Sequence, residues 1–505
     1  MYATVRNIMR SSTYPIPRAT ARVGMAFCLV GLGAISMQCK SEEAAHLPDT
    51  PSGRLVGDWI NACQAKDSAR LTAWFTANLS DKAAKQVPAQ FRAMQDLGLC
   101  EANGGFRLAG ITKDEAGTIS VLLVGLKSDV WFEQSLVVNG AGQLVRARLN
   151  PTAPAESALP KHLSDDAVAH EVSSAVAKLS GMGLFSGIVT VARGRKTIAS
   201  AAAGYADLVK KTPFTGSTQF TLGSMGKMFT AAAIGQLVDQ GKMSFDDRVG
   251  KFFPGYPNQT VREKVTVGML LSHTAGLGDF LFKRTPDMMK NGVKRATEFM
   301  PLYDTEEPQF APGTNWAYSN AGLALAGAIL EKVSGEDYPD YLRRHIFAVA
   351  GMTNSDPNNI PHTNARMVTP YTKMSERGPS PDWHEAEHDI GSPAGGAIST
   401  ADDLVRFADA LRNGKLVSNA TFEEMSKPHG SALTAKYGYA MEISELYGRT
   451  VVGHGGGFPG VSTRLYLVLG SPYTVVALAN MDPPAAEYAG SKVVAIMAEK
   501  AKSGK

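Results

Sequence analysis

Residues 221–230 read TLGSMGKMFT, and the rest of the chain is organised around this stretch. Ser224 and Lys227 stand three positions apart in it, where an apolar helical pattern begins. Side chains three apart lie on one face of a helix, so the lysine amine comes beside the serine hydroxyl. An amine desolvated by apolar neighbours can accept the proton of a nucleophilic serine near neutral pH. The stretch predicts a Ser–Lys nucleophile pair, although an N-cap serine beside a solvated lysine has the same spacing.

Length and composition limit the classes of function. A chain of 505 residues has room for two or three domains. Its net charge of +4 is small and no run rich in Lys and Arg stands out, which argues against a nucleic-acid partner. Four cysteines are too few for a disulfide framework and lack zinc-ligand spacing, so we expect neither metal nor cofactor.

Residues 1–36 are predicted to be an export signal. Basic residues up to Arg22 precede an apolar run at 23–35 that is shorter than a membrane span. The small residues at 34–36 suit cleavage before Met37. Cys39 supports a second interpretation, membrane attachment through a lipid, although the residues before it match a lipobox poorly. We expect an exported protein, periplasmic or extracellular, with the lipoprotein as the alternative.

A small α+β domain is predicted over residues 50–150. Helical patterns precede strand-like runs, and Asn-Gly-Ala-Gly at 139–142 marks a hairpin between the last two strands. The predicted helices cover 55–64, 69–78 and 81–97, and the predicted strands cover 118–126, 130–138 and 144–149. This order of elements resembles cystatin-like or NTF2-like domains in pattern only. With no catalytic constellation in it, an accessory or dimerising role is expected.

Cys63 and Cys100 both fall in this small domain. In an oxidising compartment they would form a disulfide between the first helix and the end of the third. Two buried free thiols are the alternative, and the sequence does not decide between them.

A Pro- and Ala-rich linker at 151–164 leads into a large domain at 165–505. Strand patterns at 187–192 and 197–204 lie near its beginning, and others at 463–469 and 474–478 lie near its end. We therefore expect one antiparallel sheet built from both ends of the domain, with helices on its faces and a helical region beside it.

Two further motifs accompany the nucleophile. Tyr318-Ser319-Asn320 places a phenol and a carboxamide at a loop–helix junction, and a phenolate near a lysine is a competent base for serine. Residues 453–457, GHGGG, follow a short strand, and their glycines let the backbone approach a substrate and offer an N–H to an oxyanion.

With these motifs the large domain resembles the serine β-lactamase-related family, which includes class C β-lactamases, D,D-peptidases, D-aminopeptidases and family VIII-type esterases. Residues 270–277, LLSHTAGL, and 393–404, PAGGAISTADDL, are similar to further family segments. The likeness covers roughly 165–500. It implies a β-lactamase/transpeptidase-like fold, α+β in class, preceded by the small α+β domain.

The resemblance implies a role for each motif residue. Ser224 would be the acylated nucleophile, with Lys227 as its proton acceptor or as the cation that tunes Tyr318. Tyr318 would act as general base, and the protonation of the pair is not decidable from the sequence. Asn320 would position the substrate and bond Lys227, while the N–H groups of Ser224 and Gly457 would form the oxyanion hole.

The third motif departs from the Lys-Thr-Gly of penicillin-recognising enzymes, because His454, Gly455 and Gly456 stand there. An imidazole is largely neutral at pH 7, so the cation and hydroxyl that hold a β-lactam carboxylate are missing. His273 is expected to be structural, in a turn whose polar side chains cap the backbone. A Pro-rich loop at 356–392 is expected to lack regular structure and either covers the cleft or runs over the surface. A helical flap at 280–303 is predicted to shape specificity rather than chemistry.

These features predict an exported serine hydrolase that acts through an acyl-enzyme on a small-molecule or peptide substrate. Esterase or D-amino-acid amidase/peptidase activity is favoured. A β-lactamase or penicillin-binding D,D-carboxypeptidase is the first alternative, and a non-catalytic envelope binding protein on the same scaffold is the second. The sequence leaves the oligomeric state open.

Overall fold

The computed structural model describes most of the chain, and the fold is given for that part. The described residues are 46–86, 88–115, 117–161, 163–285, 287–288, 293–358, 366–375, 378–386, 391–430 and 436–503. They belong to one compact unit. The predicted signal at 1–36 and Cys39 lie outside the described residues.

The small α+β part begins with helices and ends with a meander of strands. Its described helices are α1 (Pro51–Ala65), α2 (Ser68–Asn78), α3 (Asp81–Gln86) and α4 (Ala89–Asn103). Its strands are β1 (Phe106–Glu115), β2 (Thr118–Gly125), β3 (Trp131–Val138) and β4 (Leu144–Thr152), paired antiparallel in that order. The sequence analysis missed β1, because its second half is exposed and polar and so lacks the apolar alternation of a half-buried strand.

Three local features organise the small part: two mark where its elements begin and end, and the third is a disulfide. The single helix predicted at 81–97 is wrong, because Pro88 lies between two helices as the N-cap of α4, where its missing N–H does no harm. In the predicted hairpin turn, the Asn139 side chain accepts hydrogen bonds from the N–H groups of Ala141 and Gln143. A disulfide joins Cys63 to Cys100, whose Cα atoms are 5.4 Å apart, and so ties α1 to α4.

The larger part of the chain alternates helices with short strands. In chain order its described elements are α5 (Asp165–Gly181), β5 (Gly187–Arg193), β6 (Lys196–Ala203), β7 (Phe220–Thr221), α6 (Lys227–Asp239), α7 (Val249–Phe252), α8 (Gln259–Lys264), α9 (Val267–Leu271), α10 (Asn320–Ser334), α11 (Tyr338–Tyr341), α12 (Ala348–Ala350), β8 (Tyr371–Ser375), β9 (Gly378–Glu385), β10 (Ile398–Ser399), α13 (Ala401–Arg412), α14 (Asn419–Met425), β11 (Glu442–Leu446), β12 (Arg449–Phe458), β13 (Val461–Val468), β14 (Tyr473–Ala479) and α15 (Ala485–Ser503).

A six-stranded antiparallel sheet holds this part together, in the order β11-β12-β13-β14-β5-β6. The N-terminal hairpin adds to the C-terminal strands through β14, where Ala479 pairs with Gly187. All seven side-chain positions of β14 are buried, as expected for a central strand covered on both faces. The sheet is therefore closed by the two ends of the domain, as the strand patterns indicated.

Each face of the sheet packs into its own apolar core. One core contains α6, α10 and α13, and α10 is buried from Asn320 through Glu331. The other core contains α5, α15 and the small α+β part. At that junction the ring of Phe132 on β3 lies 5.9 Å from the ring of Tyr488 on α15. Because this second core is shared, the small part is packed directly against the helix that covers the sheet.

Two predicted segments differ from expectation. The segment at 356–392 is not without regular structure, because β8 and β9 form an antiparallel hairpin in it. The predicted flap at 280–303 has, among its described residues, the short 3-10 turns Leu281–Lys283 and Ala296–Leu302. No helix within the described ranges is long and apolar enough to cross a membrane.

Candidate active site

Ser224 lies in a 3-10 turn, Gly223–Gly226, directly before α6. Gly223 has a φ of +54°, and a Cβ on it would come 3.1 Å from the Gly457 nitrogen, so glycine lets two backbones approach here. Gly226 faces Gly395 as closely, at 3.3 Å from a built Cβ to the Gly395 Cα. The glycines of the nucleophile motif therefore allow backbone from two other segments to pack on the serine turn.

The glycine-rich segment at 393–404 is one of these two. The N–H of Gly396 donates to the Gly223 carbonyl at 3.1 Å, and the N–H of Leu222 donates back to the carbonyl of Gly396 at 3.1 Å. Ala394, in the same segment, directs its carbonyl at the Lys227 amine. The segment thus fixes the serine turn and supplies one partner of the lysine.

Lys227 is fully buried at the start of α6. Its Nζ lies 3.0 Å from the Ser224 hydroxyl and 2.8 Å from Asn320 Oδ1, and it also contacts the Ala394 carbonyl. Burial of such a group requires hydrogen-bond partners, and these three supply them. The side chains of the predicted Ser–Lys pair therefore meet in the interior, where solvent does not compete for the amine.

The Tyr318-Ser319-Asn320 motif forms the N-terminus of α10. Ser319 is the N-cap residue, and its hydroxyl accepts from the N–H of Gly322 at 2.9 Å. Asn320 donates through Nδ2 to Asp279 Oδ2 at 2.6 Å, which fixes its amide so that Oδ1 faces Lys227. Asp279, which the sequence analysis did not single out, therefore orients the carboxamide.

Tyr318 borders the cleft and is 39% exposed. Lys227 Nζ lies 4.7 Å from the centre of its ring. Burial of its polar end raises the pKa of Tyr318 above the ordinary value, and a hydrogen bond with Ser224 acts in the opposite direction without cancelling it. The raised pKa favours the neutral phenol over the phenolate near pH 7, a choice that the sequence left open.

The end of β12 faces the nucleophile across the cleft. Gly455 donates its N–H away from β13, to the Glu442 side chain at 3.5 Å. Backbone groups two residues apart on a strand point the same way, so the N–H of Gly457 also points off the sheet edge. That edge faces Gly223, whose neighbour Ser224 supplies the second N–H of the predicted oxyanion hole. The two N–H groups of the predicted oxyanion hole therefore belong to backbone segments that lie next to each other.

His454 is buried, with 2% of its surface exposed. Its Nε2 lies 2.8 Å from the Tyr437 hydroxyl, and its Nδ1 lies 2.5 Å from the Gly455 carbonyl. Burial lowers the pKa of His454 to about 4, against the opposing effect of Glu442. The residue that takes the lysine position of Lys-Thr-Gly is therefore a neutral imidazole whose two nitrogens both have protein partners.

His273 and His454 are joined through the Tyr437 hydroxyl. His273 Nε2 lies 3.0 Å from that hydroxyl, and His273 Nδ1 accepts from the N–H of Ser319 at 3.1 Å. Burial lowers the pKa of His273 well below its usual range, so this ring is also neutral. With Nδ1 accepting, Nε2 carries the proton and donates to Tyr437, whose hydroxyl then donates to His454.

This chain of hydrogen bonds supports the base. The His273 ring lies 4.4 Å from the Tyr318 ring and is fully buried beneath it. The polar neighbours of His273 do cap local backbone, since Ser272 donates to the Gly268 carbonyl at 2.8 Å. His273 itself reaches further, to α10 and to Tyr437. The backbone of His273 has a φ of 62°, which is unusual for a residue other than glycine and marks a constrained position. Nothing in the sequence marked Tyr437.

The large domain matches a known protein family. The Beta-lactamase family model matches residues 172–496. The chain belongs to the beta-lactamase family. Its predicted β-lactamase/transpeptidase-like fold and its identity as a β-lactamase-related serine hydrolase are confirmed. What the comparisons do not test are the roles of individual residues, which stay predictions.

Proteins similar to this chain include penicillin-binding proteins and D-aminopeptidases. The chain is 31% identical over 316 residues to penicillin-binding protein 4* of Bacillus subtilis (strain 168), covering 59% of this chain and 68% of that protein. It is 27% identical over 330 residues to a D-aminopeptidase of Cereibacter sphaeroides (strain ATCC 17029 / ATH 2.4.9), covering 63% of this chain and 61% of the relative.

Solved structures of the same fold include a penicillin binding protein from Bacillus halodurans, with a TM-score of 0.52 and 26% identity over 65% of this chain and 97% of that one. A D-amino acid amidase from Ochrobactrum anthropi SV3 complexed with D-phenylalanine gives a TM-score of 0.57 at 23% identity, covering 66% and 98% of the two chains. At that identity the second likeness concerns the fold alone.

Proposed function

We propose that this protein is an exported hydrolase that cleaves esters or D-amino acid amides and peptides through an acyl-enzyme on Ser224. The single observation that carries the proposal is the contact of Lys227 Nζ with Ser224 Oγ at 3.0 Å inside a buried hydrogen-bond set. Export is supported by the predicted signal at 1–36, and a lipid on Cys39 is the alternative mode of delivery.

The partners of Lys227 favour a base role. Asn320 Oδ1 and the Ala394 carbonyl can only accept hydrogen bonds. A neutral amine has two N–H groups, which these two oxygens occupy, and its lone pair is then left for the Ser224 hydroxyl. The same geometry accommodates the ammonium, whose third N–H returns to the serine oxygen. Lys227 can therefore take and give back the serine proton without moving.

The steps follow from these positions. Ser224 Oγ bonds to the substrate carbonyl carbon while its proton passes to Lys227, and the oxyanion accepts from the N–H groups of Ser224 and Gly457. Each such donor stabilises the transition state by about 3 kcal/mol. The C–O or C–N bond then breaks, and the departing atom takes the proton of the Tyr318 phenol, which the Lys227 ammonium restores.

Deacylation uses the same groups. Water adds to the acyl carbon and loses its proton to the Lys227–Tyr318 pair, the bond to Ser224 Oγ breaks, and the serine oxygen recovers that proton as the acid leaves. The alternative, Tyr318 as an anionic base, differs in its pH dependence. It would require activity to rise into the alkaline range, since the pKa of Tyr318 is raised.

The neutral His454 favours esters and D-amino acid amides over β-lactams. A β-lactam antibiotic presents a carboxylate, and a buried imidazole with both nitrogens engaged offers it no charge. The D-aminopeptidase relative supports the amide arm of the proposal. The penicillin-binding relative keeps the β-lactam reading as the competing candidate.

The test compares three probes on purified protein. A fluorophosphonate should label Ser224, p-nitrophenyl acetate and D-phenylalanine amide should be screened for turnover, and nitrocefin should be run beside them. We expect labelling and turnover of an ester or amide, both absent in Ser224→Ala, with little or no nitrocefin hydrolysis. Rapid nitrocefin turnover without ester or amide cleavage would favour the β-lactamase reading, and no Ser224-dependent labelling or turnover would refute the acyl-enzyme.

A further inference from the structure

A cavity of about 1050 Å³ lies between the small α+β part and the end of β12. One wall comes from α1, α2, α4, β3 and β4 of the small part, and the other comes from the β12 end and from residues 482–484. Gly457, the predicted oxyanion donor, belongs to the lining of this cavity. Gly457 therefore borders the cavity and, as the predicted oxyanion donor, would also contact the reacting carbonyl.

The lining is mainly apolar. It includes Trp74, Phe75 and Leu97 from the small part, and Phe458 and Pro459 from the tip of the β12–β13 hairpin. Small-molecule sites are mostly apolar concavities of roughly 300–1,000 Å³ with a few polar groups. This cavity is at the upper end of that range, which is far more room than a single amino acid side chain needs.

Two side chains of the wall also carry buried polar atoms. Trp74 Nε1 and Gln134 Oε1 have no hydrogen-bond partner among the described residues, although Trp74 is 7% exposed and Gln134 is 3% exposed. Both residues line the cavity. These two polar atoms are shielded from the cavity itself, so the surface that the wall offers to an occupant is mainly the apolar part of its side chains.

The direction of the strand decides which half of a substrate enters. The leaving group departs beside Tyr318, and the hydrogen-bond chain through His273 and Tyr437 joins that end of the cleft to His454. From His454 the strand β12 continues through Gly457 to Phe458 and into the cavity lining. The acyl half of the substrate, which stays on the serine, therefore extends toward the cavity.

We propose that this cavity is an acyl-chain subsite, so that the preferred substrates are esters or amides with a mainly apolar acyl chain longer than a single amino acid side chain. The inference rests on the proposed function. The small α+β part would then form one side of the subsite and select between acyl chains of different length. Each methylene buried there should raise kcat/KM roughly twofold to fourfold until the cavity is full.

The test measures kcat/KM of the full-length protein for p-nitrophenyl esters from acetate to dodecanoate. We expect a rise of about 60-fold or more from acetate to octanoate, taking twofold for each of six methylenes. Gly98 on α4 lines the cavity, and a Cβ on it meets nothing within 4 Å, so a larger side chain is tolerated there. Gly98→Phe should bring octanoate close to acetate while acetate turnover stays unchanged, and the matched control Gly98→Ala should keep the chain-length preference.

A profile that is flat in the wild type, or that survives Gly98→Phe unchanged, would overturn the subsite. If Gly98→Phe loses acetate turnover as well, Met94→Trp carries the test, because Met94 lines the cavity and is 39% exposed. A second measurement separates this inference from the proposed function. A bromo-dodecanoate should quench the tryptophan fluorescence of Ser224→Ala, because Trp59 and Trp74 line the cavity, and quenching absent there refutes the subsite whether or not the protein cleaves esters.

Discussion

Replacing Tyr437 with phenylalanine tests the hydrogen-bond chain beneath the base. The substitution removes one oxygen that contacts His273 Nε2 at 3.0 Å and His454 Nε2 at 2.8 Å. Both imidazoles are buried, so each loses a partner that water cannot replace. A buried donor or acceptor left without a partner costs about 1–3 kcal/mol. Tyr437→Phe should therefore lower the free energy of unfolding by about 2–5 kcal/mol.

Tyr303→Phe is the matched control. Tyr303 is also buried, and its hydroxyl has no hydrogen-bond partner among the described residues. Removing that hydroxyl should leave stability within about 1 kcal/mol of the wild type or raise it, because an unpaired buried polar group disappears. Urea denaturation gives both values, provided that the denaturant dependence of the unfolding free energy stays the same for all three proteins.

The kinetic readout separates a positioning role from a merely structural one. His273 supports the Tyr318 ring from below, so Tyr437→Phe should lower kcat by roughly tenfold or more with KM less affected, since small misplacements of reacting groups are costly. Equal stability of Tyr437→Phe and Tyr303→Phe would refute the reasoning. An unchanged kcat in a folded Tyr437→Phe protein would also refute it, because the hydrogen bonds from His273 through Tyr437 to His454 would then have no effect on Tyr318.

Three further outcomes are expected. The pKa of His454 is lowered to about 4 in the folded state, so below pH ~6.5 the unfolded chain binds a proton that the folded protein does not. The free energy of unfolding should therefore fall by roughly 3 kcal/mol as the pH drops from ~6.5 toward 4. Urea titrations should show a shallower loss in His454→Asn, and parallel curves for the two proteins would contradict this assignment. Asp279→Ala should lower kcat roughly tenfold to a hundredfold, because it removes the acceptor that holds the Asn320 amide with its Oδ1 toward Lys227; wild-type rates in stopped assays would exclude that orienting role. Replacing both Cys63 and Cys100 with alanine should lower stability by about 2–4 kcal/mol, as expected for a loop closed over a separation of 37 residues, and an intact-mass shift of two hydrogens on reduction checks the bond itself.

Local sequence spacing was enough to predict the nucleophile motif. Three-residue spacing places Ser224 and Lys227 on one helical face whatever the rest of the fold does, and N-cap chemistry places Tyr318 and Asn320 at a helix start. Their meeting across the cleft depends on backbone approaches at Gly223 and Gly395, which periodicity cannot predict. The likeness to a known family supplied that step.

The residues that orient the catalytic side chains through hydrogen bonds could not be predicted from the sequence. Tyr437 and Asp279 lie outside the recognised motifs. Tyr437 matters because its hydroxyl joins His273 to His454, and Asp279 matters because it accepts from Asn320. The strand β1 escaped for a different reason, since an exposed strand is stabilised by its neighbour rather than by its own apolar pattern. The cavity at the β12 end was equally hidden, because it arises only where two parts of the fold pack together.

The order of synthesis matters for a sheet that is closed by its two ends. β5 cannot complete its ladder until β14 has left the ribosome, and the core around Phe132 waits for Tyr488 on the last helix. Contacts between such distant residues form slowly, because the loop between them must first be closed. Until then the edge of β5 has no partner strand and the core around Phe132 is incomplete, so a chain that stalls or is cut short of α15 should be a substrate for chaperones and proteases rather than a smaller enzyme.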